Sequence, residues 1–189
     1  MAEVKNLTVR YGKETVLQSF SAEFPSGTVT AISGKSGGGK TTLLSAVTGL
    51  LRPTQGEIIG FGTCSVLFQE DRLLPFLTAV KNITVTTGCA ESAAQQALKH
   101  VGFDPEDSEK PASALSGGMA RRVAIVRAML AESDTLILDE PFKGLDDTTR
   151  AAVIRFVNSN RRGRTTLVVT HDPRDAEDLG ASHFIVIGE

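Results

Sequence analysis

Thr28-Val-Thr-Ala-Ile-Ser33 is a β-branched run suited to an extended strand, and it leads without a spacer into Gly34-Lys-Ser-Gly-Gly-Gly39. Beyond those glycines, Thr41-Thr-Leu-Leu-Ser-Ala-Val-Thr48 carries the pattern of a helix that stops at Gly49. A strand that turns through glycines directly into a helix commits the chain to a layered α/β fold, in which helices cover a mostly parallel sheet.

The rest of the chain agrees with that frame. Thr135-Leu-Ile-Leu138, Thr165-Thr-Leu-Val-Val-Thr170 and Phe184-Ile-Val-Ile187 are short, apolar and separated by helical stretches, including one from about Asp147 to Val157, so they are expected to lie in a buried parallel sheet. Earlier, Leu7-Thr-Val-Arg-Tyr11 and Val16-Leu-Gln-Ser-Phe20 alternate in polarity and are broken by Gly12 and Pro25-Ser-Gly27, which predicts an antiparallel β subdomain at the N-terminus. Ala94, Ala97, Leu98 and Val101 recur at helical spacing before Gly102, and Met119, Val123, Val126 and Leu130 do the same further on. Residues 70–116 are therefore expected to form an inserted, mostly helical subdomain, with 1–69 and 117–189 forming the core of a single domain.

At 189 residues, with 41% hydrophobic and 22% charged residues, the chain has material for one self-sufficient core, which excludes collagenous, disordered and small disulfide-framework architectures. A formal charge of −2 gives no reason to expect nucleic acid or an anionic membrane surface as partner. No apolar run exceeds four residues, where about 20 are needed to span a bilayer. The N-terminus, Met1-Ala-Glu-Val-Lys5, carries no apolar signal segment. Cys64 and Cys89 lie in no CxxC or Cys/His pair, as expected of free thiols in a reducing cytoplasm, with a disulfide between them as the alternative.

The spacing Gly34-x-x-x-x-Gly39-Lys40-Thr41 has a chemical meaning in this context. Gly34, Gly37, Gly38 and Gly39 let the backbone curl so that successive N–H groups converge on phosphate oxygens at the positive end of a helix, with Ser36, Lys40, Thr41 and Thr42 the other nucleotide-binding residues expected. Lys40 is then expected to reach the β- and γ-phosphates and the Thr41 hydroxyl to ligate Mg²⁺. Asp139 and Glu140 follow an apolar strand, at the sheet edge where ligands of parallel sheets bind. There Asp139 would hold Mg²⁺ through its water shell, and Glu140 would polarise a water for attack on phosphorus. Leu115-Ser116-Gly117-Gly118-Met119 opens a second helix with a serine and two glycines, which makes a second candidate anion site.

Two phosphate-binding helix starts, in this order and with the carboxylate pair between strand and helix, resemble the nucleotide-binding subunit of an ATP-binding-cassette (ABC) transporter over nearly the whole chain. By that resemblance Tyr11 matches the aromatic that stacks on adenine, Gln69 the glutamine at the junction with the helical subdomain, a catalytic and metal-binding residue, Gly144-Leu-Asp146 the loop after the second carboxylate motif, and His171 the catalytic histidine that contacts the γ-phosphate. The resemblance implies ATP and Mg²⁺ as ligands. It also implies a head-to-tail dimer in which Ser116, Gly117, Gly118 and Asp146 of one chain close on ATP held by Lys40 of the other, with a homodimer or a related second subunit both compatible. The resemblance further implies a cytoplasmic chain held on the inner face of the cell membrane through transmembrane permease subunits, with a solute-binding protein as a further partner for an importer and no nucleic acid. Leu67-Phe-Gln-Glu-Asp-Arg-Leu-Leu-Pro-Phe-Leu-Thr78 is similar to importers of the nitrate, sulfonate and taurine group. A cassette ATPase uncoupled from transport, as in cluster assembly, is the alternative. A phosphate-loop kinase or GTPase leaves Leu115–Gly118 unexplained.

The chain departs from the family pattern in places. Met119 stands where glutamine is commonest, and Lys143 where a small residue is usual, on the face where two subunits are expected to meet. The segment from Gly56 to Gln69 is short, and the sequence ends just beyond a strand, which suggests a compact subunit with no regulatory extension.

Overall fold

The computed structural model describes residues 1–188. In chain order these are β1 (Ala2–Tyr11), β2 (Glu14–Phe24), β3 (Val29–Gly34), α1 (Lys40–Val47), β4 (Gln55–Ile59), β5 (Cys64–Leu67), α2 (Ala79–Thr87), α3 (Glu91–His100), α4 (Pro105–Ser108), α5 (Gly117–Leu130), β6 (Thr135–Asp139), α6 (Asp147–Asn160), β7 (Thr165–Val169), α7 (Pro173–Asp178) and β8 (His183–Ile187). The strands form a three-stranded antiparallel sheet, β2-β1-β4, and a five-stranded sheet in the order β5-β6-β7-β3-β8. The fold is α/β, as the glycine turn between β3 and α1 requires.

The chain divides into two compact units. The first comprises residues 1–64, 133–137 and 163 onward. In it β3 runs parallel to both β7 and β8, with Ile32 opposite Val169 and Gly34 opposite Ile187. Thr165 to Val169 are all buried, as their unbroken apolar and β-branched character predicts. Leu7, Phe24, Ile32, Leu43 and Leu167 are fully buried here, and Phe24 meets Phe61 edge-on at 5.2 Å between ring centres. Each such side chain contributes about 1.5–3 kcal/mol by leaving water.

The second unit comprises residues 65–132 and 138–162. Its centre is α5, whose Val123, Ala124, Ile125 and Val126 are buried and against which α2 and α3 pack. Residues 70–116 contain α2, α3, α4 and a short 3-10 turn over Ala112–Ala114. Asn82, fully buried on α2, accepts from the Leu74 amide and donates to the Leu74 and Leu77 carbonyls, so the loop before the helix is pinned by side-chain amide chemistry.

One strand differs from expectation. Phe184-Ile-Val-Ile187 reads as a fully buried strand, yet β8 is the edge of its sheet, and Phe184 is 68% exposed. Phe184 and Val186 point to the exposed face of β8 and Ile187 to the buried one, an alternation that an unbroken apolar run does not reveal. Cys64 and Cys89 are both free thiols, and burial together with nearby Asp134 pushes the Cys64 thiol up. No helix among the described residues is long and apolar enough to cross a membrane.

Candidate functional site

In the first unit the backbone between β3 and α1 can take its path only with glycine. Gly34 lies at φ +143°, and a Cβ there would fall 2.1 Å from the Ile187 carbonyl oxygen. At Gly39, with φ +99°, a Cβ would fall 2.7 Å from Leu17 Cδ2 on β2. The β1–β2 hairpin therefore rests against the start of α1, and exposed Tyr11 stands at the end of β1, paired with Glu14 across the hairpin turn. Gly39 caps α1 with no side-chain acceptor, so the first-turn amides of Lys40, Thr41 and Thr42 are not closed off by a cap.

Lys40 is 8% exposed, and its ammonium folds back over the loop to donate to the carbonyls of Gly34 (2.8 Å) and Lys35 (2.9 Å). Of its three N–H groups, two hold the loop's shape and one remains for an anion. Thr41 is exposed, Thr42 is buried, and Ser36 and Gly37 are exposed at the loop's crest. His171 follows β7, next to the strand that feeds the loop. It lies at the rim of a cavity of about 290 Å³ that also includes Ser33, Thr170, Pro173 and Phe184. Its turn is fixed by Thr170, whose hydroxyl donates to Asp175 (2.7 Å) and accepts from the Asp172 amide (3.0 Å).

The second unit carries the other candidate residues. Asp139 ends β6 and is buried, and Glu140, half-buried, follows at φ +49°. Ser116 caps α5 by accepting from the Met119 amide (3.3 Å). Gly117 has open space around its α-carbon, and a Cβ on Gly118 would meet only Gly144 and Leu145, at 3.8 and 3.9 Å. The fold thus brings Ser116-Gly117-Gly118 beside the Gly144–Asp146 loop, two segments that the resemblance assigns to one contact. Asp146 itself caps α6, accepting from the Thr149 amide (3.0 Å), and its hydrogen bonds with Thr149 hold the carboxyl below its usual range. Gln69 is exposed in the loop after β5.

A protein-family model described as ABC transporter matches residues 17–143. The chain belongs to the ABC transporter family. This ABC ATPase subunit is 36% identical over 199 residues to the aliphatic sulfonates import ATP-binding protein SsuB of Corynebacterium glutamicum, with 100% of this chain and 80% of that protein covered. It is 37% identical to the SsuB protein of Rhodopseudomonas palustris, with 98% and 70% covered. Among solved structures it is similar to the dimeric ATP-binding cassette MJ0796 in a post-hydrolysis state bound to ADP and phosphate: the TM-score is 0.87 at 26% identity, over 100% of this chain and 94% of that one.

One residue of the ABC subunit that sequence reasoning missed is Arg121, buried on α5 and bonded to the backbone beside Gln69, Asp139 and Glu140. A signal existed. Arg121 and Arg122 are consecutive on a helix whose following residues are nearly all apolar, so one of the two must point inward.

Proposed function

We propose that this ABC ATPase binds ATP with Mg²⁺ at the start of α1 and hydrolyses it between two head-to-tail subunits, so as to power import of a small organic anion of the sulfonate class. The observation that carries the reading is the start of α1, where an uncapped helix end, a glycine-only backbone path and a buried lysine form one anion cradle. In this reading the amides of residues 37–42 and Lys40 bind the phosphates, Tyr11 stacks on adenine, and His171 contacts the γ-phosphate. Glu140 accepts the proton of the attacking water, and Thr41, Gln69 and Asp139, the last through the ion's water shell, would hold Mg²⁺. Exposed Thr41 and the carboxylate of Asp139 are hard oxygen donors suited to that ion, which supplies charge neutralisation at the phosphates when bound.

Ser116, Gly117, Gly118 and Asp146 serve the partner's nucleotide. The open surface at Gly117 and the dimeric state of the similar MJ0796 cassette support this assignment. Residues 70–116 act as the helical subdomain through which permease subunits are engaged, and the protein works at the cytoplasmic face of the membrane. The sulfonate class rests on relatives named aliphatic sulfonates importers and on the segment from Leu67 to Thr78. Reconstitution with the cognate permease and solute-binding protein tests it: alkanesulfonate should raise ATP turnover, whereas stimulation by an unrelated solute alone would reassign the substrate.

A further inference from the structure

The loops that follow β5 and β6 are joined through one guanidinium. Arg121, 4% exposed, donates from Nε to the Pro141 carbonyl (3.2 Å). Its Nη1 donates to the carbonyls of Phe68 (2.7 Å) and Gln69 (3.3 Å) and to the Asp71 carboxylate (2.9 Å), and its Nη2 donates to the Asp139 carbonyl (2.7 Å) and to that of Glu140. Those six acceptors engage all five N–H groups, with one hydrogen shared.

We propose that Arg121 is a positioning residue for hydrolysis, setting the backbone from which Glu140 and Gln69 present their side chains; the inference rests on the roles given to those two residues above. Five carbonyl oxygens converge on this cation, and without it their negative ends would face one another in a buried space. Glu140 sits at φ +49°, a region that non-glycine residues seldom occupy, and its carbonyl accepts from the Lys143 amide (3.3 Å) within the loop and from Arg121 outside it. The arrangement is also built to be rigid. Arg127, further along α5, donates to the Asp71 (2.6 Å) and Arg72 (2.9 Å) carbonyls, and the Arg72 guanidinium lies over the Phe68 ring at 3.9 Å. Because α5 is continuous from Gly117, Arg121 ties the second turn of that helix to the backbone of Asp139, Glu140 and Pro141. A lysine offers three donors on a point charge and cannot reproduce the planar fork.

The test compares steady-state hydrolysis, ATP affinity and thermal midpoint for wild type, Arg121→Met, Arg121→Lys, Asp71→Asn and Glu140→Gln. Arg121→Met should lower kcat about tenfold or more while the Kd for ATP stays within about threefold, because the phosphate loop is untouched. Arg121→Lys should recover part of that loss, and Asp71→Asn should fall between wild type and Arg121→Met. Wild-type kcat in Arg121→Met beside an inactive Glu140→Gln overturns the inference and leaves the functional reading standing. A parallel fall of kcat and ATP affinity, tracking lost helix content, also overturns it in favour of a purely structural role. Should Arg121→Met fail to fold, Arg121→Lys and Asp71→Asn decide: reduced kcat at unchanged Kd supports positioning, and wild-type kcat in both contradicts it. Wild-type hydrolysis in Glu140→Gln removes the underlying reading and the inference with it.

Discussion

Lys40 has two tasks, since its ammonium both shapes the loop through Gly34 and Lys35 and offers a charge to the ligand. Lys40→Ala should therefore cost about 1.5–3 kcal/mol of ATP binding, ten- to a hundredfold in Kd, by titration calorimetry with MgATP. The glycines around it are not equivalent. Gly34→Ala drives a Cβ into the Ile187 carbonyl, whereas Gly37→Ala, at φ +77° in open space, meets only left-handed strain of about 1–2 kcal/mol. Thermal melting should then show a clearly larger loss for Gly34→Ala, and equal midpoints would contradict the close approach of β8. Lys40, Thr41 and the glycines are legible in the sequence because their chemistry needs one contiguous spacing between a strand and a helix. Arg121 is not legible in that way, because its meaning depends on three separate segments, 68–71, 139–141 and α5, meeting at one point.

At the level of elements, local chemistry often overrides propensity. Ala79-Val-Lys-Asn-Ile-Thr-Val-Thr-Thr87 is rich in β-branched residues and gives no helical periodicity, yet it folds as α2. Thr78 accepts from the Lys81 amide at its start, and Gly88 ends it at φ +71°. The polar edge strand β4 and the six-residue α7 are equally faint in sequence, one because four of its five residues are exposed, the other because one and a half turns carry no period. The connection into β6 offers a test of its own. Asp134 accepts from the amide (2.8 Å) and hydroxyl (2.8 Å) of Thr63, and these bonds hold its carboxyl below the ordinary range. A carboxyl depressed in the folded state stabilises above its unfolded pKa, and that contribution is lost as pH falls through the folded value. Asp134→Asn should thus lower the melting temperature at pH 7 and converge with wild type as acid protonates the carboxyl. A difference that does not shrink in acid would contradict this role for the Thr63 bonds.

For the whole molecule, each chain holds one Lys40 loop and one Ser116-Gly117-Gly118 helix start, so a closed two-fold pair places one of each at two sites. ATP then joins the subunits because its phosphates neutralise two helix N-termini that face each other. Glu140→Gln keeps the shape of that contact while removing the base, so size-exclusion chromatography with MgATP should show a long-lived dimer that wild type forms only transiently. Specific activity should rise with protein concentration, and Ser116→Arg should abolish the rise while leaving monomer ATP binding intact. Mixing two separately inactive variants, Lys40→Ala and Ser116→Arg, tests the shared site most directly. A mixed dimer contains one intact Lys40 facing one intact Ser116, so random pairing in equal amounts should restore about a quarter of wild-type turnover per subunit. A mixture as inactive as its components, from subunits shown to exchange, would contradict an ATP site built from two chains.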